Sequence, residues 1–290
     1  MAFSGGRGSR RAEACSNDPG SAGASPSRLT GVAMALCELH WQSKVLKRKL
    51  GMYVIVPEEK QGPFDTLYLL HGLSDDHTVW LRRTRIEWYV RDLPLIVVMP
   101  DGARGWYTDN EHGPAYGRYI GEEVVAFIER MFPARPDRAA RHIGGLSMGG
   151  YGALRTALRY PDVFSSANSH SGALVHGELD WTLPDEHSDR RAFRDEMLHV
   201  FGPRPEGSSH DLLALARSAQ VAGVLPRMLL DCGVDDFLLE ANRRFHAELN
   251  QIDVPHEYRE FPGAHEWDYW DRHVRDALAF HLSLPPSPLD

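Results

Sequence analysis

Short apolar runs alternate with longer helix-like segments along most of this chain, and this alternation constrains the fold more than any other feature. Strands are predicted at residues 39–43, 52–56, 66–70, 95–99, 142–146, 164–169, 228–232 and 254–260, and helices at residues 118–132, 149–160, 238–250 and 267–282. Short buried strands that alternate with helices form mostly parallel sheets with helices on both faces. The sequence therefore predicts an α/β fold of this kind.

Two segments differ in composition from the rest of the chain. Residues 1–33 are rich in Gly, Ser, Ala and Arg and show no hydrophobic period. Such a segment buries too little apolar surface to offset the entropy lost on ordering, so we predict a disordered extension. The sequence leaves open whether translation starts instead at Met34, where patterned sequence begins. Residues 34–290 are predicted to form the folded domain. Within it, residues 174–225 interrupt the alternation with prolines and charges, and we expect a cap-like insertion over the pocket.

Charge and cysteine content narrow the classes of protein. The chain has 290 residues, a formal net charge of −8 and a pI of about 6.0, which is not the profile of a nucleic-acid-binding protein. No apolar run reaches the roughly 18 residues that a membrane span needs, and no segment resembles the apolar part of a signal peptide. Cys15, Cys37 and Cys232 are too few and too scattered for a disulfide framework. We therefore expect a cytoplasmic protein without nucleic-acid or membrane partners.

The segment Gly145-Leu146-Ser147-Met148-Gly149 has the pattern G-x-S-x-G. It follows a predicted strand directly and precedes a helix of small residues, which is the setting in which this motif raises a serine hydroxyl above the edge of a sheet. The glycines allow a tight turn and a close approach of neighbouring backbone. An ordinary glycine-rich turn is the alternative, but the strand–turn–helix context favours Ser147 as a nucleophile.

A serine hydroxyl is a weak nucleophile at neutral pH and needs a histidine base that a carboxylate orients. In hydrolases with this kind of sheet the three groups follow in the order Ser, Asp or Glu, His. Asp235 and Asp236 follow the predicted strand at 228–232, and His265 follows the last predicted strand. All would lie at the same edge of the sheet as Ser147. The residues alone leave open which aspartate faces His265.

Two backbone N–H groups must stabilise the oxyanion that forms when a serine attacks a carbonyl. One is expected from Met148, directly after the nucleophile, and the other from a loop after an earlier strand. His71-Gly72-Leu73 follows the predicted strand at 66–70, which assigns the second donor to Leu73 and places Gly72 against the substrate. A plain glycine turn is the alternative for this tripeptide.

Two further groups of residues resemble functional sites. Four side chains could be read as metal ligands, namely His71, Asp75, Asp76 and His77. No further histidine cluster completes a recognised spacing, so we predict no metal. The segment Ser208-Ser209-His210-Asp211 contains the three residue types of a triad, but contiguous residues rarely converge in space. A serine or aspartate that caps a helix starting at Leu212 is the preferred interpretation.

Aromatic residues are frequent near the motifs described above. They are Trp80, Trp106, Tyr107, Tyr151, Trp181, Phe237, Trp267 and Trp270. A single aromatic residue usually belongs to the core, but as a group these residues indicate an apolar acyl site. Among them we predict substrate contacts for Trp80, Tyr151, Phe237 and Trp267.

Five segments together resemble the putative-esterase family of the α/β-hydrolases, which includes tributyrin-type carboxylesterases, feruloyl esterases, S-formylglutathione hydrolases and mycolyltransferases. They are residues 68–73, 99–102, 145–154, 231–237 and 262–267, and the likeness extends from about residue 35 to about residue 283. The resemblance implies an α/β-hydrolase fold and selects Asp236, because the family's acid is the third residue after the glycine, here Gly233. The likeness is strongest to the tributyrin-type esterases, which implies short-chain acyl substrates.

The resulting prediction is a serine carboxylesterase with the triad Ser147, Asp236 and His265 and with an oxyanion hole formed by Leu73 and Met148. The expected partner is a small-molecule ester, and no cofactor or metal is required. An acyltransferase with the same triad and a feruloyl- or acetyl-type carbohydrate esterase are the alternatives. The sequence leaves open whether the chain forms a homo-oligomer.

Overall fold

The computed structural model describes residues 1–2, 34–58, 60–182 and 188–285. The chain divides into two units, Met1–Gly31 and Val32–Asp290, and the second contains all the elements below. The disorder predicted for residues 1–33 falls outside the described residues, apart from residues 1–2, and stays a prediction.

One sheet of eight strands runs through the described residues. The strands are β1 (Met34–Gln42), β2 (Lys49–Pro57), β3 (Asp65–Leu70), β4 (Leu95–Pro100), β5 (Arg141–Leu146), β6 (Ser166–His170), β7 (Arg227–Gly233) and β8 (Glu257–Phe261). Their spatial order is β1-β2-β4-β3-β5-β6-β7-β8. The pairs β1–β2 and β2–β4 are antiparallel and the other neighbours are parallel, which confirms the predicted, mostly parallel sheet.

Helices connect the parallel strands. They are α1 (Val79–Arg83), α2 (Ile86–Val90), α3 (Tyr116–Arg118), α4 (Val125–Met131), α5 (Met148–Arg159), α6 (Ser188–Phe201), α7 (Leu212–Val221), α8 (Leu239–Gln251) and α9 (Trp267–His281). A π-helical turn, Tyr119–Val124, joins α3 to α4, so the helix predicted at 118–132 is observed as consecutive pieces. The sequence patterns did not predict α1 and α2, because helices of five residues are too short to show a helical period.

The period of two along a strand supplies a hydrophobic core on each face of the sheet. In β3, Leu67 and Leu69 face one core, which α1, α2 and α9 cover. Tyr68 and Leu70 face the opposite core, which α4, α5, α7 and α8 cover. The carboxyl ends of the parallel strands therefore meet along one edge between two helical layers, where catalytic loops can be placed.

The segment predicted as a cap, residues 174–225, contains a 3₁₀ turn at His176–Glu178 together with α6 and α7. Its aromatic side chains pack on the body of the domain. The rings of Trp181 and Phe201 stack with centroids 6.4 Å apart, and Phe201 meets Tyr151 of α5 at 5.6 Å. The role of this segment as a cover over the pocket stays a prediction.

A buried polar network joins α9 to β6 and makes stability depend on pH. His281 is 3% exposed, and its Nδ1 and Nε2 lie 2.8 Å from Ser166 Oγ and 2.9 Å from Asn168 Oδ1. Burial, followed by the charges of His142, Arg227 and His170, lowers the pKa of His281 well below its usual value. The imidazole is therefore neutral in the folded protein.

We expect the free energy of unfolding to decrease as the pH falls below about 6.5, because an unfolded histidine then takes up a proton that folded His281 excludes. A depressed folded pKa means that this stability is present above the unfolded pKa and is lost on acidification, by at most about 1.4 kcal/mol per pH unit. Urea denaturation from about pH 7.5 to about pH 5.5, a range that brackets the usual histidine pKa, measures how steeply the free energy of unfolding changes with pH. The variant His281→Gln should show a shallower slope, and an unchanged slope would contradict the assignment.

Candidate active site

Ser147 occupies a sharp turn between β5 and α5. Its backbone has φ 52° and ψ −115°, a combination that a residue with a Cβ atom rarely adopts and that surrounding contacts must hold in place. The N–H group of Ser147 donates to the His170 carbonyl at 2.9 Å, and its own carbonyl accepts from the N–H group of Ala173 at 3.1 Å. Hydrogen bonds to β6 and to the loop after it thus hold the strained turn.

The spacing of the two glycines in the motif has a steric cause. A Cβ atom on Gly149 would lie 2.5 Å from the Leu70 carbonyl oxygen, and one on Gly145 would lie 2.6 Å from the backbone of Gly149. Neither position has room for a side chain because strand β3 and the first turn of α5 approach each other so closely. The pattern G-x-S-x-G is therefore required by the packing that presents Ser147.

The structure brings Asp236 and His265 together. Asp236 follows β7, His265 follows β8, and His265 Nδ1 lies 2.9 Å from Asp236 Oδ2 and 3.1 Å from Oδ1. Backbone hydrogen bonds from Val234 N–H to the Phe261 carbonyl and from Asp235 N–H to the Gly263 carbonyl, both 2.9 Å long, tie the two loops together. The pairing is therefore held by the backbone of both loops.

Electrostatics keep the Asp236 carboxyl ionised. Burial raises its pKa, but hydrogen bonds from His265, the N–H group of Leu238 and the Ser171 hydroxyl more than offset this effect, so that the pKa lies below its usual value. Ser171 is fully buried, and its Oγ also accepts from Trp270 Nε1 at 3.2 Å. An ionised, buried carboxylate is the group that stabilises an imidazolium ion.

The third group, Ser147, lies at the same edge of the sheet. A Cβ atom on Gly72 would be 3.8 Å from Ser147 Cβ, which places Ser147 beside the predicted oxyanion loop. Within the described residues no hydrogen bond joins the Ser147 hydroxyl to His265, so the last link of the triad stays a prediction. Such bonds commonly tighten only when substrate binds.

The two N–H groups predicted for the oxyanion hole belong to Leu73 and Met148. Across the described residues, neither donates to a protein acceptor, as expected of groups reserved for a ligand. His71 holds this loop in place: its Nε2 accepts from the N–H group of Gly102 at 2.9 Å, and its Nδ1 lies 2.8 Å from the Gly72 carbonyl oxygen. Both ring nitrogens are therefore engaged by backbone.

The residues predicted to contact substrate fall into two groups. Gly72 lies beside Ser147, Trp267 is half-buried, and Phe237 is 76% exposed with its ring centroid 4.5 Å from that of His265. Trp80 and Tyr151, by contrast, are 1% and 0% exposed. Trp80 Nε1 donates to the Leu70 carbonyl and the Tyr151 hydroxyl donates to the His210 carbonyl. Burial of this degree favours a packing role for both, because a substrate could reach neither without displacing its neighbours.

Of the two alternative sites, the segment Ser208–Asp211 has a structural explanation. Within the described residues no group of three or more His, Cys, Asp or Glu side chains is arranged to hold a metal ion. Asp211 accepts hydrogen bonds from the N–H groups of Leu213 and Ala214 at the start of α7, which confirms the capping interpretation. His210 Nδ1 lies 2.8 Å from Thr108 Oγ1, so this histidine serves to anchor the segment.

Sequence reasoning missed the positioning roles of three residues, namely His71, Ser171 and Trp270. Trp270 was expected only as part of an aromatic group, yet its ring stands perpendicular to the His265 imidazole with centroids 4.9 Å apart. One partner of His71, Gly102, and one partner of Ser171, Trp270, lie far away along the chain. No local pattern could have revealed these contacts.

The chain is similar to known esterases. The family model described as "Putative esterase" matches residues 43–281. An acetyl esterase of Caldicellulosiruptor saccharolyticus is 33% identical over 259 residues, which cover 84% of this chain and 97% of that protein.

Solved structures of two hydrolases resemble this chain in fold and in sequence. The fluorophosphonate-binding serine hydrolase F of Staphylococcus aureus has a TM-score of 0.76 and 31% identity, and the match covers 86% of this chain and 98% of that one. An S-formylglutathione hydrolase of the same organism has a TM-score of 0.74 and 31% identity, covering 86% and 99%. The α/β-hydrolase fold predicted from the sequence is thereby confirmed. No helix in the described part of the chain has the length and apolar character needed to cross a membrane.

Proposed function

This chain belongs to the putative esterase family, and from that premise we propose that it hydrolyses short-chain carboxylic esters through an acyl enzyme on Ser147. The observation that carries the proposal is the Asp236–His265 pair, hydrogen-bonded at 2.9 Å at the edge of the sheet where Ser147 occupies its strained turn. The reaction class is carboxylic ester hydrolysis.

In the first half of the reaction, Ser147 Oγ attacks the ester carbonyl carbon while His265 Nε2 accepts the hydroxyl proton. The carbonyl oxygen becomes an oxyanion, which the N–H groups of Leu73 and Met148 stabilise. Asp236 stabilises the imidazolium and holds its orientation. His265 then gives the proton to the alcohol oxygen, the bond from carbon to that oxygen breaks, and the alcohol leaves.

In the second half, water takes the place of the alcohol. His265 removes a proton from water, the hydroxide attacks the acyl carbon, and a second oxyanion forms in the same hole. Return of the proton to Ser147 Oγ breaks the bond to the acyl group and releases the carboxylic acid.

We expect acetyl and butyryl esters to be better substrates than palmitoyl esters. The acetyl esterase relative supports a small acyl site. One or two methylene groups that do not fit an apolar pocket lower kcat/KM by at least about tenfold. The measurement is kcat/KM for 4-nitrophenyl acetate, butyrate and palmitate, and a palmitate optimum would contradict the proposal.

An acyltransferase would use the same triad with an alcohol or sugar in place of water. The relatives reported above are named as an esterase and as hydrolases, which favours water. A ferulic acid esterase with a TM-score of 0.72 and 24% identity shares the fold. Product analysis with an added alcohol separates the two reactions, because hydrolysis yields free acid as the main product.

We also propose a cytoplasmic location. Cys37 and Cys232 are free thiols in the structure, and a reducing compartment keeps thiols in that form.

A further inference from the structure

The direction in which His265 delivers its proton identifies where the alcohol half of the substrate must lie. Asp236 binds Nδ1 at 2.9 Å, which leaves Nε2 to serve the reaction. In the proposed mechanism Nε2 must come within hydrogen-bond reach of the leaving oxygen, about 3 Å. The group attached to that oxygen therefore lies against the exposed surroundings of the imidazole.

Two aromatic rings flank this imidazole, and they differ in exposure. Trp270 is 5% exposed and stands perpendicular to the imidazole at 4.9 Å, so it supports the ring from within the core. Phe237 lies 4.5 Å from the imidazole with a tilt of 49° and is 76% exposed. Of these two rings, only Phe237 offers its surface to a substrate.

The position of Phe237 is set by a rigid turn. The N–H group of Asp236, the preceding residue, donates to the Gly233 carbonyl at 3.1 Å. The N–H group of Leu238, the following residue, donates to Asp236 Oδ1 at 2.8 Å. The Asp236 carboxylate therefore orients the histidine and also fixes the backbone that follows the phenyl ring. Val234, on the same turn, adds apolar surface and is 43% exposed.

We propose that the exposed ring of Phe237 binds the alcohol half of the substrate, and that the enzyme favours esters whose alcohol carries a flat apolar ring. The inference rests on the proposed ester hydrolysis and extends it to the leaving group. Single exposed apolar residues are common on protein surfaces, but this one touches the imidazole that must protonate the leaving alcohol. Stacking on a phenyl ring stabilises such a group without polar contacts.

A pair of isomeric esters tests the proposal. Benzyl acetate carries its ring on the alcohol side, and methyl phenylacetate carries the same ring on the acyl side. The variant Phe237→Ala is expected to lower the ratio of kcat/KM for benzyl acetate to that for methyl phenylacetate by roughly three- to tenfold, the range for loss of one aromatic contact. Phe237→Tyr keeps the ring and should retain the wild-type ratio.

Trp88→Ala serves as the matched control, because Trp88 is 63% exposed and lies in α2, away from the site. It should leave the ratio unchanged. An unchanged ratio in Phe237→Ala, or a loss of kcat/KM confined to methyl phenylacetate, would overturn the proposed role of Phe237. Absence of 4-nitrophenyl acetate hydrolysis by the wild-type enzyme would instead contradict the proposed function itself, so the two failures are distinguishable.

Discussion

Ser147→Ala is expected to reduce kcat by roughly 10⁴- to 10⁶-fold, because no other group can form the acyl intermediate. The nearby Ser171 hydroxyl is fully buried and already hydrogen-bonded to Trp270, so it cannot substitute. Initial rates with 4-nitrophenyl acetate measure the loss. A variant that keeps a tenth of the wild-type activity would show that the nucleophile lies elsewhere.

The fold should survive this substitution. Alanine retains the Cβ atom, so the strained turn with φ 52° costs the same in both proteins, and the hydrogen bonds that hold it involve only backbone atoms of Ser147. Ser209→Ala is the control: Ser209 is exposed and belongs to the segment that imitates a triad in sequence. An alkyl fluorophosphonate, which loses fluoride as a serine oxygen attacks phosphorus, should label the wild-type enzyme and Ser209→Ala but not Ser147→Ala.

The junction at Ser147 could be predicted almost to the residue. A strand at 142–146 and a helix at 149–160 were expected, and Arg141–Leu146 and Met148–Arg159 are observed. Both signals are local: an apolar run for the strand, and small residues with glycines for the turn and helix. The order of Ser147, Asp236 and His265 is also a local feature, because each of these residues follows its own strand.

Features that depend on distant contacts could not be predicted. Helix α2 begins after Arg85, whose N–H group donates to Asp271 of α9 at 2.8 Å, and Tyr89 donates to the same carboxylate at 3.0 Å. The burial of Trp80 depends likewise on α9, since the Trp267 ring packs on it at 5.5 Å. Exposure of an aromatic residue is decided by what covers it, and no pattern near the residue records that.

Asp236→Asn is expected to lower kcat/KM by up to about 10⁴-fold, the loss seen when the carboxylate of a comparable triad is replaced by an amide. The asparagine has the same shape but can present an N–H group to His265, which favours the wrong tautomer and removes the charge that stabilises the imidazolium. Because the pKa of Asp236 lies below its usual value, the wild-type group stays ionised at neutral pH and the loss cannot be recovered by raising the pH.

Asp235→Asn is the matched control, one residue away on the same turn and with the same chemical change. The Asp235 side chain is exposed, and its backbone N–H group donates to the Gly263 carbonyl, a bond that the substitution retains. Its kcat/KM should therefore stay within a few-fold of wild type. Both variants are measured from about pH 5 to about pH 9, a range that brackets ordinary imidazole titration, with circular dichroism to verify folding. A larger loss in Asp235→Asn would reverse the two assignments. Equal and mild losses would place the catalytic acid elsewhere, because the 2.9 Å contact between Asp236 and His265 would then have no part in turnover.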